Sequence, residues 1–98
     1  MNTRTVAVGD IEMAIAEAGA GGRPLLLLHG FTGAKEDFTE WLDRLAGDGW
    51  HAVAPDHRGH GGSAKPLGES AYSLRILGQD AVNLTEALGW PKFALLGH

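Results

Sequence analysis

The side chains in this sequence that could do chemistry are five histidines (His29, His51, His57, His60 and His98) and a scatter of carboxylates. There is no cysteine, which excludes a disulfide framework and a thiolate metal site. His57 and His60 stand three apart, a spacing that could share a metal ion. Their stretch is glycine-rich loop, not helix, and no acidic or thiolate partner has a suitable spacing, so no metal site is expected. That stretch, Asp56-His57-Arg58-Gly59-His60-Gly61-Gly62-Ser63, also invites comparison with a phosphate cradle. It has neither Gly-x-Gly-x-x-Gly directly after a strand nor a Gly-Lys-Ser/Thr ending, so that chemistry is set aside. Two further stretches place glycine beside histidine at the end of an apolar run. His29-Gly30-Phe31-Thr32-Gly33 follows Leu25–Leu28, and Gly97-His98 follows Lys92–Leu96.

The elements that must position these residues alternate along the chain. Thr3–Val8 and Ile11–Ala18 read as strands joined at Gly9-Asp10, a tight reversal that makes a hairpin. In the second, Ile11, Met13 and Ile15 alternate with Glu12 and Ala14, the period of a half-buried strand. Gly19–Pro24 reads as loop. Leu25–Leu28 is continuously apolar, as in a strand covered on both faces of a parallel sheet. Phe38, Trp41, Leu42 and Leu45 mark one face of an amphipathic helix and are expected in the core. Glu36, Asp37 and Glu40 favour that helix's N-terminal dipole, and Gly47 and Gly49 end it. Trp50–Ala54 is the next strand, closed by Pro55, with His51 on its surface or in its packing. A second helical stripe runs through Leu74, Leu77, Ala81, Leu84 and Leu88 to Gly89. Lys92–Leu96 closes the chain as a short buried strand. Strands alternating with helices over short connections predict an α/β fold: a mostly parallel sheet with right-handed crossovers, an N-terminal antiparallel hairpin and helices on both faces.

Taken together and in this order, the three stretches resemble the alpha/beta-hydrolase superfamily over nearly the whole chain. Leu27–Gly33 resembles the family's His-Gly motif after the third strand, whose loop donates a backbone N–H to the oxyanion hole. The resemblance assigns that donor to Phe31, with His29 holding the loop and Gly30 allowing its sharp turn. Asp56–Ser63 resembles the family's Asp-x-Arg-Gly-x-Gly-x-Ser loop. There Asp56, Arg58, Gly59, Gly61 and Ser63 would have a structural task, Asp and Arg pairing to fix the loop. Gly97 and His98 match the first two positions of the Gly-x-Ser-x-Gly nucleophile elbow. In the family the order is Ser, then Asp or Glu, then His, so the triad would lie beyond residue 98 and none of the five histidines would be the base. Asp80, and Tyr72-Ser73-Leu74 before the second helix, also look like family features. A surface polar residue and a helix start account for them as well.

The resemblance implies a serine hydrolase acting on a carboxylic ester or lactone, close to the small esterases, enol-lactonases and cofactor-free haloperoxidase-like enzymes. No metal or organic cofactor is implied. Rivals on the same fold are the epoxide hydrolases and haloalkane dehalogenases, which use Asp at the elbow and often carry Pro where Thr32 stands. The menaquinone-pathway lyases share a His-Gly-Phe-x-Gly start, and a non-catalytic receptor-like relative would keep the pocket without the triad. Residues 1–98 would be the N-terminal portion of a single alpha/beta-hydrolase domain, incomplete and inactive without a C-terminal portion. That remainder is the expected partner, beside a small ester or lactone. It is expected as a second chain beginning at the nucleophile, the polypeptide being broken after His98, with a truncated sequence as the plainer alternative.

Composition bounds the rest. Ninety-eight residues, 44% hydrophobic and 20% charged, are ordinary globular material for one domain or part of one, without repeat or linker. A net charge of −4 with scattered basic residues gives no footprint for nucleic acid. No apolar run is long enough to span a membrane, Asp10, Glu12 and Glu17 interrupt any signal-peptide core, and a cytoplasmic location is the expectation.

Overall fold

A computed structural model describes residues 1–9, 11–28, 38–56 and 74–97. Among these, five strands and two helices follow in the order β1 (Asn2–Val8), β2 (Ile11–Ala18), β3 (Arg23–Leu28), α1 (Thr39–Gly47), β4 (Trp50–Pro55), α2 (Leu74–Ala87) and β5 (Ala94–Gly97). They form one sheet in the order β1-β2-β4-β3-β5. The hairpin β1–β2 is antiparallel, with Val8 opposite Ile11 across the two-residue connection, and β2 runs antiparallel to β4. The pairs β3–β4 and β3–β5 are parallel. No helix among the described residues is long and apolar enough to cross a membrane.

The pleat sorts the strand residues onto two faces. Ile11, Met13 and Ile15 of β2, Leu26 of β3 and Val53 of β4 join Ala81 and Leu84 of α2 and Trp90 in one buried cluster. Ala16, Ala18, Leu25, Leu27, Ala52 and Ala54 join Phe38 and Leu42 beside α1 in the other. Helices on both faces are therefore present. Four alanines on the α1 side let that helix approach the sheet closely, whereas the α2 side carries the bulky side chains. Each cluster removes a continuous apolar surface from water, the main favourable term in the fold.

α2 ends in a Schellman motif. Gly89, at φ +74°, donates its N–H to the Glu86 carbonyl at 3.0 Å, and the Trp90 N–H reaches back to the Thr85 carbonyl at 2.9 Å. That reversal seats Trp90 in the cluster with Leu84. At the end of α1 the Gly49 N–H bonds the Ala46 carbonyl at 3.1 Å, and Glu40 occupies the first turn. Glu36 and Asp37, and Asp10 of the hairpin connection, lie outside the described residues.

Four expectations need correction. β3 begins at Arg23, two residues into the expected loop, because the Arg23 N–H bonds the Gly49 carbonyl at 2.9 Å and Arg23 pairs with Trp50. Trp41 is 51% exposed and not core, since Leu42 already fills the space against the sheet. Asp80 is buried at 2% exposure and not on the surface. The last strand is Ala94–Gly97, and it is an edge strand with Leu95 60% and Leu96 48% exposed, not a buried one.

Candidate active site

The parallel strands end together. β3 lies between β4 and β5, and Leu28, its last residue, stands opposite Gly97, the last residue of β5. β4 runs alongside β3 in the same direction and leads directly into Asp56. The carboxyl ends of three neighbouring strands thus open on one edge of the sheet, where open α/β sheets form their ligand sites. Each end leads straight into one of the three stretches singled out in the sequence: His29 follows Leu28, Asp56 follows Pro55, and His98 follows Gly97.

Of the site residues, Asp56 and Gly97 are described. Asp56 is fully buried, and its N–H donates to the Ala14 carbonyl at 2.9 Å, carrying the β2–β4 ladder one step past Pro55. That bond fixes the direction in which the chain leaves β4. Gly97 completes the pairing with Leu28. His29, Gly30, Phe31, Arg58, Gly59, Gly61, Ser63 and His98 lie outside the described residues, as do His57, His60 and Tyr72-Ser73. Among the described residues no group of three His, Asp or Glu side chains could hold a metal ion.

A different polar cluster sits toward the other end of the sheet. His51 Nε2 is 3.0 Å from Glu17 Oε2, and Arg4 donates Nε–H to Oε1 of the same carboxylate. Trp90 meets the His51 ring edge-on at 5.2 Å. Burial pushes the Glu17 carboxyl up, but the hydrogen bonds and charges of Arg4 and His51 outweigh it and hold the group below the ordinary glutamate value. Sequence reasoning left His51 between surface and packing and gave Glu17 no role in the fold. The signal was present: Glu17 continues the Ile11, Met13, Ile15 alternation onto the buried face.

Beside β5, an apolar groove of about 300 Å³ opens between helix and sheet, lined by Leu27, Phe38, Trp41, Leu45 and Leu96. With Phe93 and Leu95 also exposed, the free edge of the sheet is apolar on both faces.

Comparison with known proteins accounts for this arrangement. Residues 23–98 match the family model described as the alpha/beta hydrolase fold. Epoxide hydrolase A of Mycobacterium tuberculosis (strain ATCC 25618 / H37Rv) is 34% identical over 96 residues, covering 97% of this chain and 30% of that protein. Lipase 3 of Moraxella sp. (strain TA144) is 43% identical over 63 residues, 64% of this chain and 19% of its own length. The crystal structure of an epoxide hydrolase from Vigna radiata superposes with a TM-score of 0.93 at 37% identity, covering 99% of this chain and 32% of that one. The chain therefore spans about a third or less of the proteins it matches. It belongs to the alpha/beta-hydrolase fold family.

Proposed function

We propose that the complete protein is a hydrolase that opens its substrate through a covalent intermediate, formed on a nucleophile carried by the turn after β5. The observation behind this is the convergence of the β3, β4 and β5 carboxyl ends, with Leu28 opposite Gly97, at the point where the His29–Gly33 and Gly97-His98 stretches begin. In this reading the Phe31 N–H faces the oxygen that gains charge during attack. His29 and Gly30 shape its loop, while Asp56, Arg58, Gly59, Gly61 and Ser63 brace the loop after β4. A neighbouring acid–base pair from the rest of the protein activates the nucleophile and then water. The rest of the protein would also continue the sheet past β5 and cover its apolar edge.

Two substrate classes follow from two nucleophiles. A carboxylic ester or lactone, attacked by Ser, is supported by Thr32 in place of Pro and by the likeness to a lipase. An epoxide, attacked by Asp, is supported by likeness to epoxide hydrolases along nearly the whole chain. Mass spectrometry of the complete protein, quenched during turnover of p-nitrophenyl acetate or of styrene oxide, separates them. A Ser enzyme gains one acetyl group from the ester, and an Asp enzyme gains the mass of the whole epoxide. Turnover of both without any adduct would overturn the covalent mechanism.

A further inference from the structure

The hairpin β1–β2 hangs on the parallel part of the sheet by a short ladder. β2 pairs with β1 along the whole of β1, Asn2–Val8, but meets β4 only through Ile15–Ala18, with one added bond from the Asp56 N–H to the Ala14 carbonyl. α2 packs against β1 from one face. Glu17 stands opposite Asn2 on one side and Val53 on the other, so Arg4 and His51, each two residues along its strand, are its diagonal neighbours. Both reach it. Arg4 spans the two carboxylate oxygens, with Nη2 at 3.4 Å from Oε2, and His51 Nε2 lies at 3.0 Å from the same Oε2. An ionised carboxylate only accepts, so His51 Nε2 carries the hydrogen and donates it.

We propose that Arg4, Glu17 and His51, roofed by Trp90, form an acid-sensitive latch that holds the β1–β2 hairpin to the parallel strands. It crosses three strands through one side chain, at the place where the hairpin has least ladder of its own. The charged groups acting on Glu17 are Arg4 from β1 and His51 from β4. Nearby, the Met1 ammonium is engaged with Asp43 at 2.8 Å, and Arg23 lies over the Trp50 ring. Glu17 and His51 are mostly shielded from water, each side chain 14% exposed, while Arg4 is half exposed. The His51 arm is therefore screened less than the Arg4 arm.

The direction with pH follows from the carboxylate. Its folded-state value lies below the unfolded one, so the stabilisation is fully present above the ordinary glutamate range. It is lost as pH falls through the lowered folded value. Protonation leaves Glu17 with a hydroxyl and one acceptor oxygen, and both partners lose a charge-assisted bond. The latch opens in acid.

Hydrogen exchange on the complete protein tests this, comparing wild type with Glu17→Gln at each pH. At pH 7 the variant's amides in residues 2–18 should exchange about tenfold faster, the size expected for charge-assisted bonds with one exposed arm, and those in residues 23–28 at the wild-type rate. As pH falls below the ordinary glutamate range the difference should narrow, and it should close once pH passes the lowered folded value of Glu17, where the wild type has lost its carboxylate too. Equal protection at pH 7, or acceleration spread evenly over β3 and α1, would overturn the latch. Arg4→Gln, at a half-exposed position that does not threaten folding, should show a smaller acceleration confined to the same segment. A wild-type profile in that variant would also count against it.

Discussion

Gly19 offers the sharpest test of how the two halves of the chain are fitted together. The β2–β3 connection crosses the turn that joins α1 to β4. At Gly19, φ is +80°, and a Cβ placed there would stand 2.1 Å from the Trp50 carbonyl oxygen and 2.9 Å from the Ala46 Cβ. Two residues on, Gly21 has φ +91° with nothing within 4 Å of the same hypothetical atom. The pair separates a conformational cost from a steric one. An L-residue in left-handed backbone costs about 1–2 kcal/mol. Of this, about 0.4–1 kcal/mol returns because alanine restricts the unfolded chain. Gly21→Ala should therefore lose roughly 0.5–1 kcal/mol of stability. Gly19→Ala carries the same term and must also displace a backbone carbonyl between Trp50 and His51, in the strand that pairs with β3, adding about 1–3 kcal/mol as for other overpacking changes. The excess of Gly19→Ala over Gly21→Ala is the quantity to measure, by urea unfolding of the complete protein followed by circular dichroism. Gly47→Ala, at the last residue of α1 with open space around it, is the internal control and should gain about 0.5–1 kcal/mol. If Gly19→Ala and Gly21→Ala agreed within about 0.5 kcal/mol, the ordinary scatter of surface substitutions, the close approach of this loop to Trp50 would be wrong.

Leu42 is fully buried where α1 meets the sheet, so Leu42→Ala should cost about 2–5 kcal/mol by the same unfolding assay. Phe31→Leu should keep kcat within about tenfold, whereas Phe31→Pro, which removes the N–H, should cost roughly a hundredfold or more in steady-state assays. Trp41→Ala measures whether the groove beside β5 is covered in the complete protein. A cost of about 3–5 kcal/mol is expected for a covered ring, and under about 1 kcal/mol would mean that it stays open.

Much of the fold was legible because its strongest signals are local. The alternation Ile11, Met13, Ile15 put β2 half in the core, and the unbroken Leu25–Leu28 run marked a strand covered on both faces. Where reading and structure part, a tertiary contact decides. Trp41 fits the helical stripe as well as Leu42 does, yet only Leu42 points at the alanines of β2 and β4, and periodicity does not weigh one member of a stripe against another. Asp80 is charged and stands outside the Leu74, Leu77, Ala81, Leu84 and Leu88 stripe, and so reads as surface, whereas the structure buries it on α2. Arg23-Pro24 reads as loop by composition, but its hydrogen-bonded partner is the α1–β4 turn, 26 residues away at Gly49. The candidate site was legible as three stretches in order. Their convergence was not, because it depends on the strand order β4-β3-β5, which no single stretch encodes.

The two faces of the sheet explain why the polar signals concentrate where they do. On the α1 face β2 and β4 contribute only alanines, at 16, 18, 52 and 54, and the long side chains there, Leu25, Leu27, Phe38 and Leu42, are all apolar. The α2 face carries Met13, Ile15 and Val53, and its helix stops at the Gly89 reversal before the sheet is fully covered. Trp90 is turned back to roof the remaining strip, and the strip ends at Glu17 and His51. A long acidic side chain is tolerated there because neighbours on both flanking strands donate to it, and burying it without them would leave an uncompensated charge. At the opposite end of the sheet β3 and β5 stop together with Leu28 opposite Gly97, and β4 stops at Pro55 before the buried Asp56. One end of the sheet is thus closed by a satisfied polar cluster. The other holds three chain exits in fixed register, the kind of rigid platform on which a nucleophile and its oxyanion donor can be held apart by a constant distance.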